Sequence, residues 1–114
     1  MSNSNNIDSA PDYNNFAKDT LQQRKNTLFV LDFTADWCQP CRQIHSILVE
    51  WKKQFTNVQF YQINVDLPNM RKYIDQFNVQ AMPTFVFIKN GQEVTNKICG
   101  KQEQLILNAI TKFQ

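Results

Sequence analysis

FVLDFTADWCQPCRQIH, residues 29–45, joins two patterns end to end. In the first half, Leu28 to Phe33 is apolar except for Asp32, without clean alternation. A strand with two apolar sides belongs to a sheet covered by helices on both faces. The second half opens a predicted helix over residues 38–55, with Cys41, Ile44, Leu48, Trp51 and Phe55 at spacings of three and four. Cys38 and Cys41 therefore fall at a strand-to-helix junction, with Pro40 between them.

That junction assigns the two cysteines different properties. Pro40 suits a first helical turn, where backbone N–H groups have no intrahelical partner to lose. The same free N–H groups and the positive end of the helix dipole favour a thiolate at Cys38. Cys41 sits on the apolar stripe and is expected to face the core. The spacing thus predicts an exposed, acidic, attacking Cys38 and a buried, less acidic Cys41 able to resolve a mixed disulfide. Two other readings stand beside it. A Cys-x-x-Cys pair is also half of a four-ligand zinc site, for which Cys99 and His45 are the other candidates. The pair also reads as two inert, buried thiols.

Outward from the junction, residues 12–26 read as a helix with Phe16, Thr20 and Leu21 near one face and Asp12 as its cap. NVQFYQINV (57–65) reads as a strand, and Pro68 opens a helix carrying Met70, Tyr73, Ile74 and Phe77 on one face. TFVFIK (84–89) and EVTNKIC (93–99) flank Asn90-Gly91, a hairpin signal because both turn positions need positive φ. Gly100 ends the second of these strands. Residues 101–113 form a last helix with Leu105, Ile106, Ala109, Ile110 and Phe113 inward. This order predicts an α/β fold: a central mixed sheet with an antiparallel edge, covered by helices on both faces. Residues 1–6 are polar and expected to be a disordered tail, which leaves 7–114 as a single domain.

The composition narrows the function. The 12 basic and 10 acidic residues are scattered, with no basic stripe to track a nucleic acid. No apolar run approaches the roughly 18 residues that span a bilayer. MSNSNNIDSAPD has neither the positive start nor the apolar stretch of a secretory signal. A reducing, cytoplasmic setting is the expectation. A cysteine pair there is catalytic or metal-binding rather than a staple, and three cysteines leave one unpaired.

FVLDFTADWCQPC (29–41) resembles the active-site segment of the thioredoxin family, where a strand ending in Asp-Phe leads to Trp-Cys-Gly-Pro-Cys. AMPTFVFIKNGQ (81–92) resembles the second signature of that family, a cis-proline strand followed by an Asn-Gly-type turn. The resemblance runs over about residues 7–114 with the same element order. It implies a thioredoxin fold and a protein-disulfide reductase whose redox disulfide is Cys38–Cys41, with no metal and no bound cofactor. Trp37 would flank the nucleophile and offer an apolar surface. Pro83 would be cis beside Cys38, the backbone of Met82 would pair with an extended substrate segment, and Gly100 would complete that substrate-binding set. Asp32 also stands out on physical grounds. A carboxylate inside an apolar run is costly to bury, and desolvation would raise its pKa and suit it to trade protons with Cys41.

The partners implied are disulfide-containing proteins and a flavin-dependent NADPH–thioredoxin reductase as electron donor, with no nucleic acid, no membrane, and a monomeric state. Three departures stand out. Gln39 replaces the usual glycine between the cysteines. Gln62 stands where many members carry a lysine near the buried aspartate. Ser46 replaces a helix-kinking proline, so that helix is expected to run straighter. Cys99 reads as a small buried hydrophobe or, more sharply, as a regulatory or dimer-forming thiol. The rivals to a reductase are an oxidant or isomerase of the same fold, a metal- or cluster-binding protein, and a non-enzymatic docking module.

Overall fold

The computed structural model describes residues 6–114. In chain order the elements are β1 (Asp8–Ser9), α1 (Tyr13–Lys18) with a π-helical turn (Asp19–Gln23), β2 (Leu28–Thr34), α2 (Gln39–Gln54) and β3 (Val58–Asn64). A 3₁₀ turn (Pro68–Met70) then leads into α3 (Arg71–Phe77), followed by β4 (Thr84–Lys89), β5 (Gln92–Glu93), β6 (Ile98–Cys99) and α4 (Glu103–Phe113). The strands lie in the order β1-β3-β2-β4-β5, with β6 also pairing β4. β2 is parallel to β3 and antiparallel to β4, so the sheet is mixed, as its element order predicts. The expected tail over residues 1–6 falls outside the described residues except at Asn6, whose carbonyl accepts from Lys52 Nζ at 2.8 Å.

All seven residues of β2 are buried, and alternation along it sorts the molecule into two cores. Leu28 and Val30 join Phe85 and Phe87 beneath α2 and α4, against Ile44, Leu48, Trp51, Ile106 and Ile110. Phe29, Leu31 and Phe33 join Val86 and Ile88 beneath α1 and α3, against Phe16, Tyr73 and Phe77. Each large side chain removed from water in this way contributes about 1.5–3 kcal/mol. Asp32 keeps the phase of Leu28 and Val30 and therefore belongs to the α2 side. Gln62 keeps the phase of Val58 and Phe60 on β3 and shares that side; it is also the register partner of Asp32.

Four local expectations change. The helix expected over 12–26 is capped as predicted, with Asp12 Oδ1 accepting from Asn15 N at 3.0 Å. It ends earlier, however, in the wider π turn, where Arg24 N donates to Asp19 O at 2.8 Å. The wider turn moves Leu21 off the inward stripe; it is 52% exposed and lies over Gly91, where any Cβ would meet its side chain. Leu105 sits on the flank of the α4 stripe and is half-exposed rather than inward. Two-residue β1 carries no period to read; it pairs Asp8 with Tyr61 and Ser9 with Gln62.

The fourth change is the strand expected over 93–99, which divides into β5 and β6. Asn90 (φ 54°) and Gly91 (φ 79°) make the expected turn, and β5 starts in register with Ile88 opposite Glu93. Continued regularly, that register would place Asn96 opposite Phe85; Ile98 stands there instead. Two residues are looped out, and a slip of two preserves which face each side chain takes. Ile98 therefore still packs into the α2–α4 core, and Cys99 turns outward.

Candidate active site

The end of β2 and the start of α2 place the cysteines. Cys38 caps α2 in an extended conformation (φ −88°, ψ 109°), with its N–H donating to Ala35 O at 3.1 Å. Pro40 occupies the first turn, as expected, and α2 runs unbroken through Ser46. One turn later, Cys41 faces inward. The two Cα atoms lie 5.3 Å apart, within the usual disulfide span, and the sulfurs are bonded.

Cys38 is less open than its position at a helix mouth suggested. It is 4% exposed and Cys41 is 5% exposed, because Ala35, Val65 and Met82 close around the bonded pair. Trp37 is the open member of the motif: 66% of it is exposed, which rules out an ordinary core tryptophan. Its Nε1–H donates to Asp66 Oδ2 at 3.0 Å, which holds the indole beside the pair. Nothing in the sequence ties these two residues together, since Asp66 follows a different strand.

The cis-proline loop forms the other wall. The Met82–Pro83 bond is cis, Pro83 is buried, and Met82 packs against the cysteines. Gly100 N–H donates to Pro83 O at 2.8 Å, so two segments named separately in the sequence meet here. Gly100 has φ 88°, and the space where a Cβ would stand is open. Thr84 braces the loop by donating its hydroxyl to Ala81 O. Cys99 is exposed, contrary to its reading as a buried hydrophobe, with Sγ 3.6 Å from Thr84 Oγ1.

Asp32 lies beneath this surface. It is 5% exposed, and among the described residues its Oδ1 has no hydrogen-bond partner. Burial pushes its carboxyl up from 3.8 to about 7. Its strand neighbours are Gln62 on β3 and Phe85 on β4, and neither carries a charge. A cleft of about 380 Å³ is lined by Thr34, Ala35, Asp36, Cys41, Arg42, His45 and Gln62, the last being the register partner of Asp32. His45 thus shares a cleft with Cys41, while among the described residues no three of His, Cys, Asp and Glu converge on one point. Also among the described residues, no helix is long and apolar enough to cross a membrane.

A disulfide spanning a single helical turn closes or opens with little displacement of the backbone, and it exchanges two electrons as it does so. That chemistry, on a helix-covered mixed sheet, defines a thiol–disulfide oxidoreductase. The family model described as Thioredoxin matches residues 10–112. Thioredoxin H5 of Arabidopsis thaliana is 40% identical over 93 residues, covering 82% of this chain and 75% of that protein. The crystal structure of thioredoxin NaTrxh from Nicotiana alata superposes with a TM-score of 0.83 at 28% identity, over 100% of this chain and 97% of that one. Fasciola hepatica thioredoxin gives 0.75 at 35% identity, over 82% of this chain and 88% of that one. The chain belongs to the thioredoxin family, and its activity is thiol–disulfide exchange.

Proposed function

We propose that the protein works in the reducing direction on disulfides of other proteins, with Cys38 as nucleophile and Cys41 as resolving thiol. The Cys38 thiolate, favoured by the N-terminus of α2, attacks one sulfur of a substrate disulfide in line with the S–S bond. A Cys38–substrate disulfide forms, and the second substrate sulfur leaves as a thiolate. Cys41 then gives its thiol proton to the Asp32 carboxylate and attacks Cys38 Sγ. The mixed bond breaks, the first substrate sulfur leaves as a thiolate, and Cys38–Cys41 closes. Two electrons have passed to the substrate. The position of Asp32 on the α2 side of β2 supports this reading, as does a carboxyl whose burial poises it near neutral pH.

Substrate docks across Trp37, Met82, Pro83 and Gly100, the surface around the pair. The exposed indole offers apolar area, and the loop backbone at Met82 pairs with an extended segment. Residues 7–114 act as a single domain and a monomer in the cytoplasm. A flavin-containing reductase drawing on NADPH returns the pair to its dithiol form. The observation that carries the two roles is the asymmetry of the pair: one cysteine caps the helix and the other is inside it.

Insulin reduction driven by dithiothreitol tests this. Wild type is expected to accelerate precipitation of the insulin B chain. Cys38→Ser is expected to abolish the acceleration, and Cys41→Ser to accumulate a mixed disulfide visible by mass. Full activity in Cys38→Ser would remove the assignment of the nucleophile.

A further inference from the structure

The cleft beside Cys41 has a use that the cysteines alone do not explain. On the proposed mechanism Asp32 takes a proton when the pair closes and must supply one when the pair opens. With a carboxyl that burial raises to about 7, both protonation states are populated near neutral pH, and the proton exchanges with solvent in the interval between the two events. Asp32 itself is buried, so the proton needs a route. Its Oδ1 is a buried acceptor without a partner among the described residues, and such atoms are generally satisfied by water where space and polarity allow.

The cleft supplies that space on the correct side of the sheet. Thr34 follows Asp32 by two residues on the same face, Gln62 is the register partner of Asp32, and Cys41 is the thiol to be protonated; all three line it. Its charged and titratable groups come from two elements. The β2–α2 loop contributes Asp36, exposed at the mouth, and α2 contributes Cys41, Arg42 and His45, while β3 contributes only the uncharged Gln62. Arg42 Nε donates to the Asp36 carbonyl at 3.0 Å. Histidine is the side chain that takes up and releases a proton between about pH 5 and 8. His45 is half-buried, one turn beyond Cys41 on the same face of α2.

We infer that His45 is the proton-relay residue of this site, passing protons between Asp32 and bulk water through the cleft that it lines. It acts through Asp32, so the inference rests on the reading of Asp32 as the proton partner of Cys41. In the outward direction Asp32 releases its proton along cleft water to the neutral imidazole, and the imidazolium passes it to bulk water. Uptake is the reverse, and no electrons move.

The test is the rate of disulfide exchange from about pH 6 to about pH 9 in wild type, His45→Gln, Asp32→Asn and the double variant. His45→Gln is expected to slow exchange by about tenfold above neutral pH, to flatten the profile there, and to recover on addition of free imidazole. Its thermal midpoint should stay at the wild-type value, since the side chain is only half-buried. In the Asp32→Asn background the same substitution should have no effect. Wild-type rate and profile in His45→Gln, with Asp32→Asn slow, would overturn the relay and leave the role of Asp32 standing. A slow His45→Gln that free imidazole does not restore would also overturn it. An Asp32→Asn variant with unchanged rate and profile would remove the Asp32 reading itself, and the relay with it.

Discussion

Asp32→Asn should make the pH dependence of stability visible as a single titration. The folded protein holds the Asp32 proton with a pKa of about 7, against 3.8 for an unperturbed carboxyl. The group binds its proton more tightly when folded, so the native state is favoured at low pH and loses ground as pH rises. Nothing is lost below the lower value. The loss grows by about 1.36 kcal/mol per pH unit between the two values and reaches about 4 kcal/mol above the upper one. Burial is nearly complete, so solvent screening does not reduce this figure. Asparagine keeps the shape and does not titrate. Its amide brings its own burial cost, but that cost is the same at every pH. The quantity to measure is therefore the stability of the variant minus that of wild type. Urea unfolding of the oxidised proteins, from about pH 3.5 to about pH 8.5, should show that difference rise by about 4 kcal/mol. At a typical m-value of about 2 kcal/mol/M this is a change of about 2 M in the separation of the midpoints. A difference that stays flat within about 1 kcal/mol would mean that the carboxyl is not desolvated as its burial indicates.

Three further outcomes follow from the packing. Gly91→Ala should cost about 1–3 kcal/mol in denaturant unfolding, since residue 91 has φ 79° and a Cβ would meet Leu21; adding Leu21→Ala should restore only the steric part. Phe29→Ala should cost about 3–5 kcal/mol, because that ring is fully buried with Phe16 edge-on at 5.5 Å and Tyr61 stacked at 6.1 Å; a loss below about 1 kcal/mol would show that the core refills the space. Asp66→Ala should change stability by less than about 1 kcal/mol, since the bond it removes is at the surface, yet should raise KM for a protein disulfide by releasing the Trp37 indole. An unchanged KM and unchanged tryptophan fluorescence would show that the Asp66 contact does not hold the indole in place.

Much of this molecule is legible in short stretches of chain because the physics involved is local. The apolar run of β2, the three-and-four spacing of α2 and the proline in its first turn depend on neighbours within a few residues. So does the positive φ demanded at Asn90 and Gly91. Those signals suffice for the mixed, helix-covered sheet and for a cysteine pair at a helix mouth. They failed where length or geometry left no period to read: β1 is two residues long, and the π turn carries Leu21 off its stripe. The slip of two residues between β5 and β6 belongs to the same group, and it sets Cys99 opposite Thr84.

Sequence by itself determined which residues carry chemistry, because a thiolate at a helix end and a carboxyl in an apolar strand are consequences of residue type and local spacing. Tertiary structure alone decided what those residues meet. Register set Gln62 beside Asp32, loop closure set Asp66 under Trp37, and the return of β6 set Gly100 against Pro83. Each of these contacts joins segments far apart in the chain. Their energies exist only after the sheet has formed, and so no pattern within one segment encodes them.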